Sequence, residues 1–446
     1  MIDRVLQLLE EKKFAEVKKT VLEMYDADIA EVFEQIEDRD IMLRLFRLLP
    51  KTTAAEVFAY LPPDIQQSII EAITDLELKR ILDEMFLDDC VDLVEEMPAN
   101  VVSKVLKNSS SQNRSLINQY LQYPEDSAGS LMTNEYVYFK ATNTVQQALD
   151  IIRKTGVDKE TLDNCYVLSA DRKLEGVVSL RQLVLADPAS TLGNIMNTNV
   201  LYANTLDDQE QIGKLFTKYD ILSMPVVDNE CRMVGIITID DAIDVIQEEN
   251  TEDFHKMAGM APSDNTYLRT PVFTLAKNRI VWLLVLMVSA MITGAMLEHF
   301  EAAISAIPLL VSFIPMLMDT GGNSGSQAST MIIRGMALDE IEPSDFLKVW
   351  WKEIRVALLC GSFLALVNFI RIAIQYRDLG VASVVCGTLV ITVFVAKSLG
   401  CILPMLAKRL KLDPALMAAP MITTITDACS ILVFFTLAMA ILSSRM

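Results

Sequence analysis

One acidic side chain, Asp427, stands in the stretch APMITTITDACSILVFFTLAMAIL, whose other residues are apolar enough to lie in lipid. An ionised carboxylate at membrane depth costs roughly 2.5–3.5 kcal/mol on insertion scales, so a residue kept there has a cation to meet, fixed or passing. Lys397, in another apolar stretch, is the candidate fixed partner. A passing cation needs a polar path, and PMLMDTGGNSGSQASTMIIRG offers one: Gly321, Gly322 and Asn323 lead a run of small and amide side chains inside an apolar segment. Thr423 and Thr424 lie one turn before Asp427. Glycines let backbones approach and free carbonyls for an ion, and polar backbone at membrane depth is tolerated only where protein or a water-filled cavity covers it. A second concentration of carboxylates lies in DDAIDVIQEENTEDFHKMAGMAPS. There Asp241, Asp244, Glu248, Glu249, Glu252 and Asp253 recur at helical spacing and repel one another. Crowded carboxylates are hard oxygen ligands suited to Mg2+ or Ca2+; on a plain surface helix they would only be a solvated face. Asp319-Thr320-Gly321 spells the tripeptide of aspartic proteases, and Asp319 with Asp427 would be a dyad sharing a proton. Those enzymes place the tripeptide on a β-rich scaffold, whereas here it sits in an apolar helical segment.

The elements that position these residues divide the 446-residue chain in two. Residues 277–446 carry 11 acidic and 13 basic side chains out of totals of 59 and 39, which leaves 48 and 26, a net of about −22, for residues 1–276. So acidic a half argues against nucleic acid and for cations. Seven cysteines without a CxxC pair and two histidines argue against a zinc or iron–sulfur site and suit a reducing cytosol. MIDRVLQLLEEKKF reads as a charged amphipathic helix, not a signal peptide, which keeps this half cytoplasmic.

Residues 3–120 are punctuated about every twelve residues (LPPDIQQSIIEAI, TDLELKRILDEM, FLDDCVDLVEEM), each unit opening on a cap or proline. Such units bury their faces by stacking, which predicts a small helical solenoid. Residues 130–250 repeat a strand, helix, strand, turn, strand, helix pattern, with YVLSADRKLEGVVSL and PVVDNECRMVGIITI as the hairpins. These two copies resemble a tandem CBS pair, a regulatory module that often binds adenine nucleotides. The typical glycine, hydroxyl and acid ending is complete in the second copy (Gly235, Thr238, Asp241); in the first, Gly176 and Ser179 are followed by Gln182. Thr238 and Asp241 are thus the candidate nucleotide contacts, against a purely folding and dimerising role for the pair.

Five apolar spans are predicted, at roughly 279–298, 303–333, 354–376, 381–407 and 414–443, with Pro308, Pro315, Pro404 and Pro420 as kink points. With a cytoplasmic start the inner flanks hold Lys277, Arg279, Arg334, Lys348, Lys352, Arg355, Lys408, Arg409 and Lys411, against Arg371, Arg377 and Arg445 outside. That bias obeys the positive-inside rule and puts the C-terminus outside.

The order of solenoid, CBS pair, acidic helix, five spans, TGGNSGSQAS and DPALMAAPMITTITDACS closely resembles the MgtE family of bacterial magnesium channels over essentially the whole chain. The resemblance implies a multidomain α-helical membrane protein with no enzymatic activity. Its parts are a helical N domain (1–130), CBS copies (131–193 and 194–250), a connecting plug helix (251–277) and a five-helix transmembrane domain (278–446). It implies a homodimer in the bacterial cytoplasmic membrane, in contact with lipid, with a pore on the two-fold axis in which two Asp427 carboxylates hold hydrated Mg2+. Gly322 and Asn323 match pore-lining positions. Cytosolic Mg2+ would close the pore through Asp241, Asp244, Glu249, Glu252 and Asp253, with Asp208, Glu210 and Asp220 of the second CBS copy and, more loosely, Asp89 of the solenoid. ATP at the CBS pair is the further ligand. Ser326 and Ser430 depart from the Asn and Gly frequent in the family. The competing reading is a CBS-regulated secondary transporter of another solute or divalent metal, though inverted repeats and a second buried titratable relay are not visible.

Overall fold

The twelve-residue punctuation becomes ten short helices, α1–α10, running from Ile2–Glu10 to Ser111–Tyr120. The structure is a computed structural model that describes residues 1–36, 38–262, 267, 270–417 and 419–442. Local chemistry starts the helices. Asp38 accepts the amides of Asp40 and Ile41, Thr74 and Glu77 form a reciprocal capping box, and Pro63 fills the first position of its helix. α1 packs on α3 (Asp26–Glu34), α3 on α5 (Lys51–Ala59), α5 on α7 (Asp75–Leu82) and α7 on α9 (Ala99–Asn108). This next-but-one stacking is what makes a solenoid, since each short helix buries its apolar face only against its neighbours. Phe33, Phe46 and Phe58 line that interior edge to face, with ring centroids 6.1 Å apart.

A short α11 (Ala128–Leu131) leads into the repeat. The first copy is β1 (Tyr138–Phe139), α12 (Val145–Thr155), β2 (Asn164–Leu168), β3 (Leu174–Ser179) and α13 (Leu180–Leu185), followed by α14 (Leu192–Ile195). The second is β4 (Ala203–Asn204), α15 (Gln209–Tyr219), β5 (Ser223–Val227), β6 (Met233–Thr238) and α16 (Ile239–Met257). In each three-stranded sheet the outer strand pairs parallel and the hairpin antiparallel, with a register shift at the same place, Val167/Leu168 and Val226/Val227. The copies interlock. Thr133, ahead of the first, exchanges both backbone hydrogen bonds with Ile236 of β6 at 2.8 Å, and Asn197, ahead of the second, does the same with Val177 of β3. Gly176 and Gly235 stand where these segments cross. A Cβ on Gly235 would lie 2.8 Å from the Thr133 carbonyl and from Met132, and one on Gly176 would lie 3.0 Å from the Asn197 carbonyl. Close backbone approach therefore accounts for both motif glycines.

The chain divides into two compact units, Met1–Ile246 and Gln247–Met446. α16 is continuous from the second repeat to Met257, so the connecting helix expected over 251–277 ends there and α17 opens at Val272; residues 263–266 and 268–269 of that stretch lie outside the described residues. In the second unit, α17 (Val272–His299), α20 (Phe346–Gln375), α21 (Leu379–Arg409) and α22 (Ala419–Leu442, preceded by a 3₁₀ turn at Pro414–Met417) belong to segments long and apolar enough to cross a membrane. The expected span at 303–333 is interrupted: α18 (Glu301–Ala306) ends before a 3₁₀ stretch, Pro308–Phe313, and α19 (Ile314–Ala337) begins after it. Pro308 lacks an amide and cannot continue a helix, which forces the break. With 24 residues α19 has the length of a span, but its Gly, Ser, Asn and Gln run keeps it out of the four apolar segments. α21 packs against α19, α20 and α22. Arg445 and the last predicted span residue, Ser443, lie outside the described residues.

Candidate functional site

α19 meets α22 and α21 along a face of glycines. A Cβ on Gly321 would lie 2.7 Å from Thr392 Cγ2 and 3.0 Å from Ser430 Oγ, one on Gly322 would lie 2.9 Å from Thr423 Cγ2, and one on Gly325 would lie 2.5 Å from Ile422 Cγ2 and 3.1 Å from the Ala396 carbonyl. Larger side chains would push the helices apart. The threonines of α22 do not reach outward as free donors. Thr423 and Thr424 donate to the Pro420 carbonyl at 3.0 Å, and Thr426 donates to the Thr423 carbonyl at 2.9 Å. Asp427, half-buried on the same helix, has neither a hydrogen-bond donor nor a cationic partner among the described residues. The opposite side of α19 is exposed and polar: Asp319, Asn323, Gln327 and Thr330 recur at spacings of three and four. Asn323 Nδ2 donates to Asp319 Oδ1 at 3.0 Å. Gly321, Gly322, Asn323, Thr423, Thr424 and Asp427 therefore lie on two helices packed against each other.

Lys397 does not serve Asp427. Its ammonium, almost fully buried on α21, faces Glu353 Oε2 of α20 at 3.7 Å. That oxygen has no hydrogen-bond donor in its burial, nor has buried Trp350 Nε1 an acceptor, among the described residues. Breaking a buried pair leaves one charge uncompensated, whereas replacing both partners with apolar groups is close to neutral. Lys397→Met alone should cost about 3 kcal/mol, and Lys397→Met with Glu353→Leu should regain most of it. Thermal unfolding of the purified protein, followed by the fluorescence of Trp282, Trp350 and Trp351, measures both.

The second concentration of charge lies in the first unit, around α8 (Leu87–Glu96). Asp88 is 8% exposed and Asp89 is half-buried. Burial, then the neighbouring Asp89, pushes the Asp88 carboxyl up to about 7. Burial and then Asp241 push Asp89 up to about 7, and burial and then Asp88 do the same for Asp241. Glu160 is pushed up to about 9 by burial and by Asp88, Asp240, Asp241 and Asp89, and its Oε2 has no hydrogen-bond donor among the described residues. Glu56 and Glu135 add to the upward push on Asp89. Asp89 and Asp241 are thus brought together from the solenoid and the second repeat, beside Asp88, Glu135 and Glu160, which the sequence does not single out. Among the described residues no group of three or more His, Cys, Asp or Glu side chains stands in a geometry that would hold a metal ion.

The other selected acids are separated. Asp208 caps α15 and accepts the Glu210 amide at 2.9 Å, Glu210 pairs with Lys214 at 2.7 Å, and Asp220 ends that helix in a left-handed conformation with φ 50°. At 1.5 Å per residue the two ends of α15 are about 16 Å apart, so these three do not form one site. Asp244 lies on α16 in the first unit; Glu249, Glu252 and Asp253 lie beyond the boundary in the second. Thr238 donates to Asp241 Oδ2 at 2.7 Å, so these two candidate nucleotide contacts engage each other and α8. A cleft of about 670 Å³ opens instead beside the first repeat, lined by Asp163, Asn164, Ser179, Arg181, Leu185 and Leu222 among others. Gln182, which replaces the acid there, accepts the Ser179 amide at 2.9 Å and completes a capping box at the cleft wall.

Comparison with known proteins agrees with this architecture. Residues 314–437 match a family described as "MgtE: Divalent cation transporter", residues 24–126 match the MgtE intracellular N domain, and residues 128–188 and 192–248 match the CBS domain. The protein named magnesium transporter MgtE of Thermus thermophilus is 34% identical over 453 residues, covering 98% of this chain and all of that one. Its namesake in Bacillus subtilis is 29% identical over all of this chain and 98% of its own. A solved structure described as the cytosolic domain of the Mg2+ channel MgtE in complex with ATP superposes on 55% of this chain and 100% of its own, with TM-score 0.52 and 33% identity.

Proposed function

The chain belongs to the MgtE family of divalent cation transporters, and from that membership we propose that it conducts Mg2+ into the cell as a channel closed by cytosolic Mg2+. The carrying observation is the pairing of an uncompensated carboxylate, Asp427, with a neighbouring helix whose exposed face is polar. A lone chain in lipid would leave Asp319, Asn323, Gln327 and Thr330 against hydrocarbon, which is costly. A second copy and a water-filled path would cover them, so the functional unit is a homodimer with α19 and α22 of each subunit lining the path. The transmembrane part then has five spans, α19 included, in the bacterial cytoplasmic membrane, with the N-terminal domains cytosolic and the C-terminus outside. Mg2+ dehydrates reluctantly and keeps several waters. Two Asp427 carboxylates acting through that hydration shell, with Gly321, Gly322, Asn323 and the backbone of Thr423 and Thr424 around them, would hold the ion loosely enough to release it.

The closing half of the proposal rests on the carboxylates. Mg2+ shifts a conformational balance only by binding one state more tightly. Asp88, Asp89, Asp241 and Glu160 repel one another when ionised, and a divalent ion among them favours the arrangement that holds them together. α16 carries that state along its length through Asp244, Glu249, Glu252 and Asp253 into the second unit, and Asp208, Glu210 and Asp220 add weaker sites on the surface of α15. The five-part domain division of the sequence follows the same logic. ATP is proposed for the CBS pair, with Arg181 for phosphate and Leu185 and Leu222 for the base. The support is the ATP complex of the 33% identical relative.

The test is Mg2+ uptake into liposomes that carry the purified protein and a trapped Mg2+ dye. Flux should follow an imposed voltage without a coupling ion, at low Mg2+ on the cytosolic side, and stop at high Mg2+. Flux that needs a co-transported ion selects the secondary-transporter reading instead.

A further inference from the structure

The connecting helix α16 carries seven acidic residues, and Lys256 is its one Lys or Arg. That ammonium, 21% exposed, pairs with Glu252 Oε1 one turn back and with Asp413 Oδ2, both at 2.6 Å. Desolvation alone would weaken its charge, but Asp413 and Glu252 outweigh it and hold the ammonium well above the usual lysine range. Asp413 is not part of α16; it opens the turn between α21 and α22. Its Oδ1 accepts the Ala415 amide at 2.8 Å, and the Met417 carbonyl at the end of that turn takes the Ser329 hydroxyl of α19 at 3.2 Å.

A second contact lies beside the first. α16 ends on Gly259, with φ +69°; the Gly259 amide donates to the Lys256 carbonyl and the Met260 amide to the His255 carbonyl. A Cβ on Gly259 would sit 3.2 Å from Pro420 Cγ. The Pro420 carbonyl is the acceptor for both Thr423 and Thr424, and Asp427 follows roughly two turns further on.

We propose that the Lys256–Asp413 pair, seated beside the Gly259–Pro420 contact, is the tie through which the connecting helix sets the position of the first turn of α22, and so of Asp427. This rests on the closing reading above. It makes Lys256 and Asp413 positioning residues: neither lies at the ion path, and each acts through the 413–420 turn. The lone cation of an otherwise acidic helix is thereby assigned a task that none of its carboxylates can perform.

The experiment compares Lys256→Gln, Asp413→Asn and the double variant in the full-length protein; Asp413→Asn keeps an oxygen for the Ala415 amide. Two readouts are taken: the cytosolic-side Mg2+ that halves flux, and amide exchange over 252–260. Each single variant should raise the half-closing concentration roughly fivefold while open flux at low Mg2+ stays unchanged. The double variant should be no worse than Lys256→Gln, which already loses the Asp413 pair together with the Glu252 contact. Lys256→Arg should restore the wild-type value, and exchange over 252–260 should quicken in Asp413→Asn. A half-closing concentration unchanged in both singles overturns the tie, as does strict additivity in the double. A wild type that conducts but never closes would defeat the closing reading instead. Exchange then judges the contact alone, and exchange unchanged by Asp413→Asn overturns it too.

Discussion

Asp427→Asn should lower Mg2+ flux at least roughly thirtyfold while leaving the protein folded. A unit charge acting on a partly screened cation is worth on the order of 2 kcal/mol at the effective dielectric of a protein interior, which is that factor in rate or occupancy. The fold should survive because the carboxylate has neither a hydrogen-bond donor nor a cationic partner among the described residues, so an amide of the same shape breaks no such contact. Removing an uncompensated charge from an apolar helix is favourable to folding if it changes anything. Asp427→Glu keeps the charge and should retain most of the flux. Initial uptake in liposomes, normalised to protein recovered as the intact oligomer, decides the matter: wild-type flux in the Asn variant would remove Asp427 from the ion path. A variant that fails to fold would mean that the carboxylate has a structural partner.

The parts read correctly from sequence are those whose signal is local. Capped twelve-residue units, two hairpins at matching positions and long apolar runs each declare themselves within a dozen or so residues, and they reappear as the solenoid, the interlocked repeats and the spans. Pro308 was visible as a kink point, yet its effect is larger: it ends one helix and starts another after a 3₁₀ stretch, so that α19 begins just before the glycine run. Misread elements depend on partners distant in sequence. In the sequence Lys397 and Asp427 invite pairing because both are lone charges in apolar spans, but the packing of α20 on α21 gives Lys397 Glu353 instead. The sequence resemblance points to Asp89 and not to Asp88, although Asp88 is the more buried. On a short helix with acids at successive positions, periodicity alone does not say which one turns inward. Gly235 fits a nucleotide signature in the sequence, and the Met132–Thr133 segment that crosses it ahead of the first repeat is a packing reason for the same glycine.

Stability of the cytosolic unit should depend on Mg2+ and pH together, with the largest effect above neutral pH. Burial and then neighbouring carboxylates push Asp88, Asp89 and Asp241 up to about 7 in the folded protein, against roughly 4 for an unfolded aspartate. Between these values the folded state binds more protons than the unfolded one, so the contribution of these groups is fully present below about pH 4 and is lost as pH rises through about 7. In chelator, α8 and the start of α16 should therefore open more readily at about pH 8 than at about pH 5.5. A divalent cation bound among the ionised carboxylates takes over the protons' role, so Mg2+ at a hundred times its dissociation constant should slow amide exchange over α8 by roughly a hundredfold at about pH 8. At about pH 5.5 the carboxyls are protonated and the cation has little to bind, so the effect should nearly vanish. Exchange must be measured rather than tryptophan fluorescence, since Trp282, Trp350 and Trp351 all report on the membrane half. Asp89→Asn with Asp241→Asn should steady α8 in chelator at about pH 8 and remove most of the Mg2+ response, because it deletes the repulsion and the ligands at once. An equal Mg2+ response at both pH values, or one that survives in the double variant, would place the responsible ions elsewhere, with the exposed acids of α15 and α16 as the next to test.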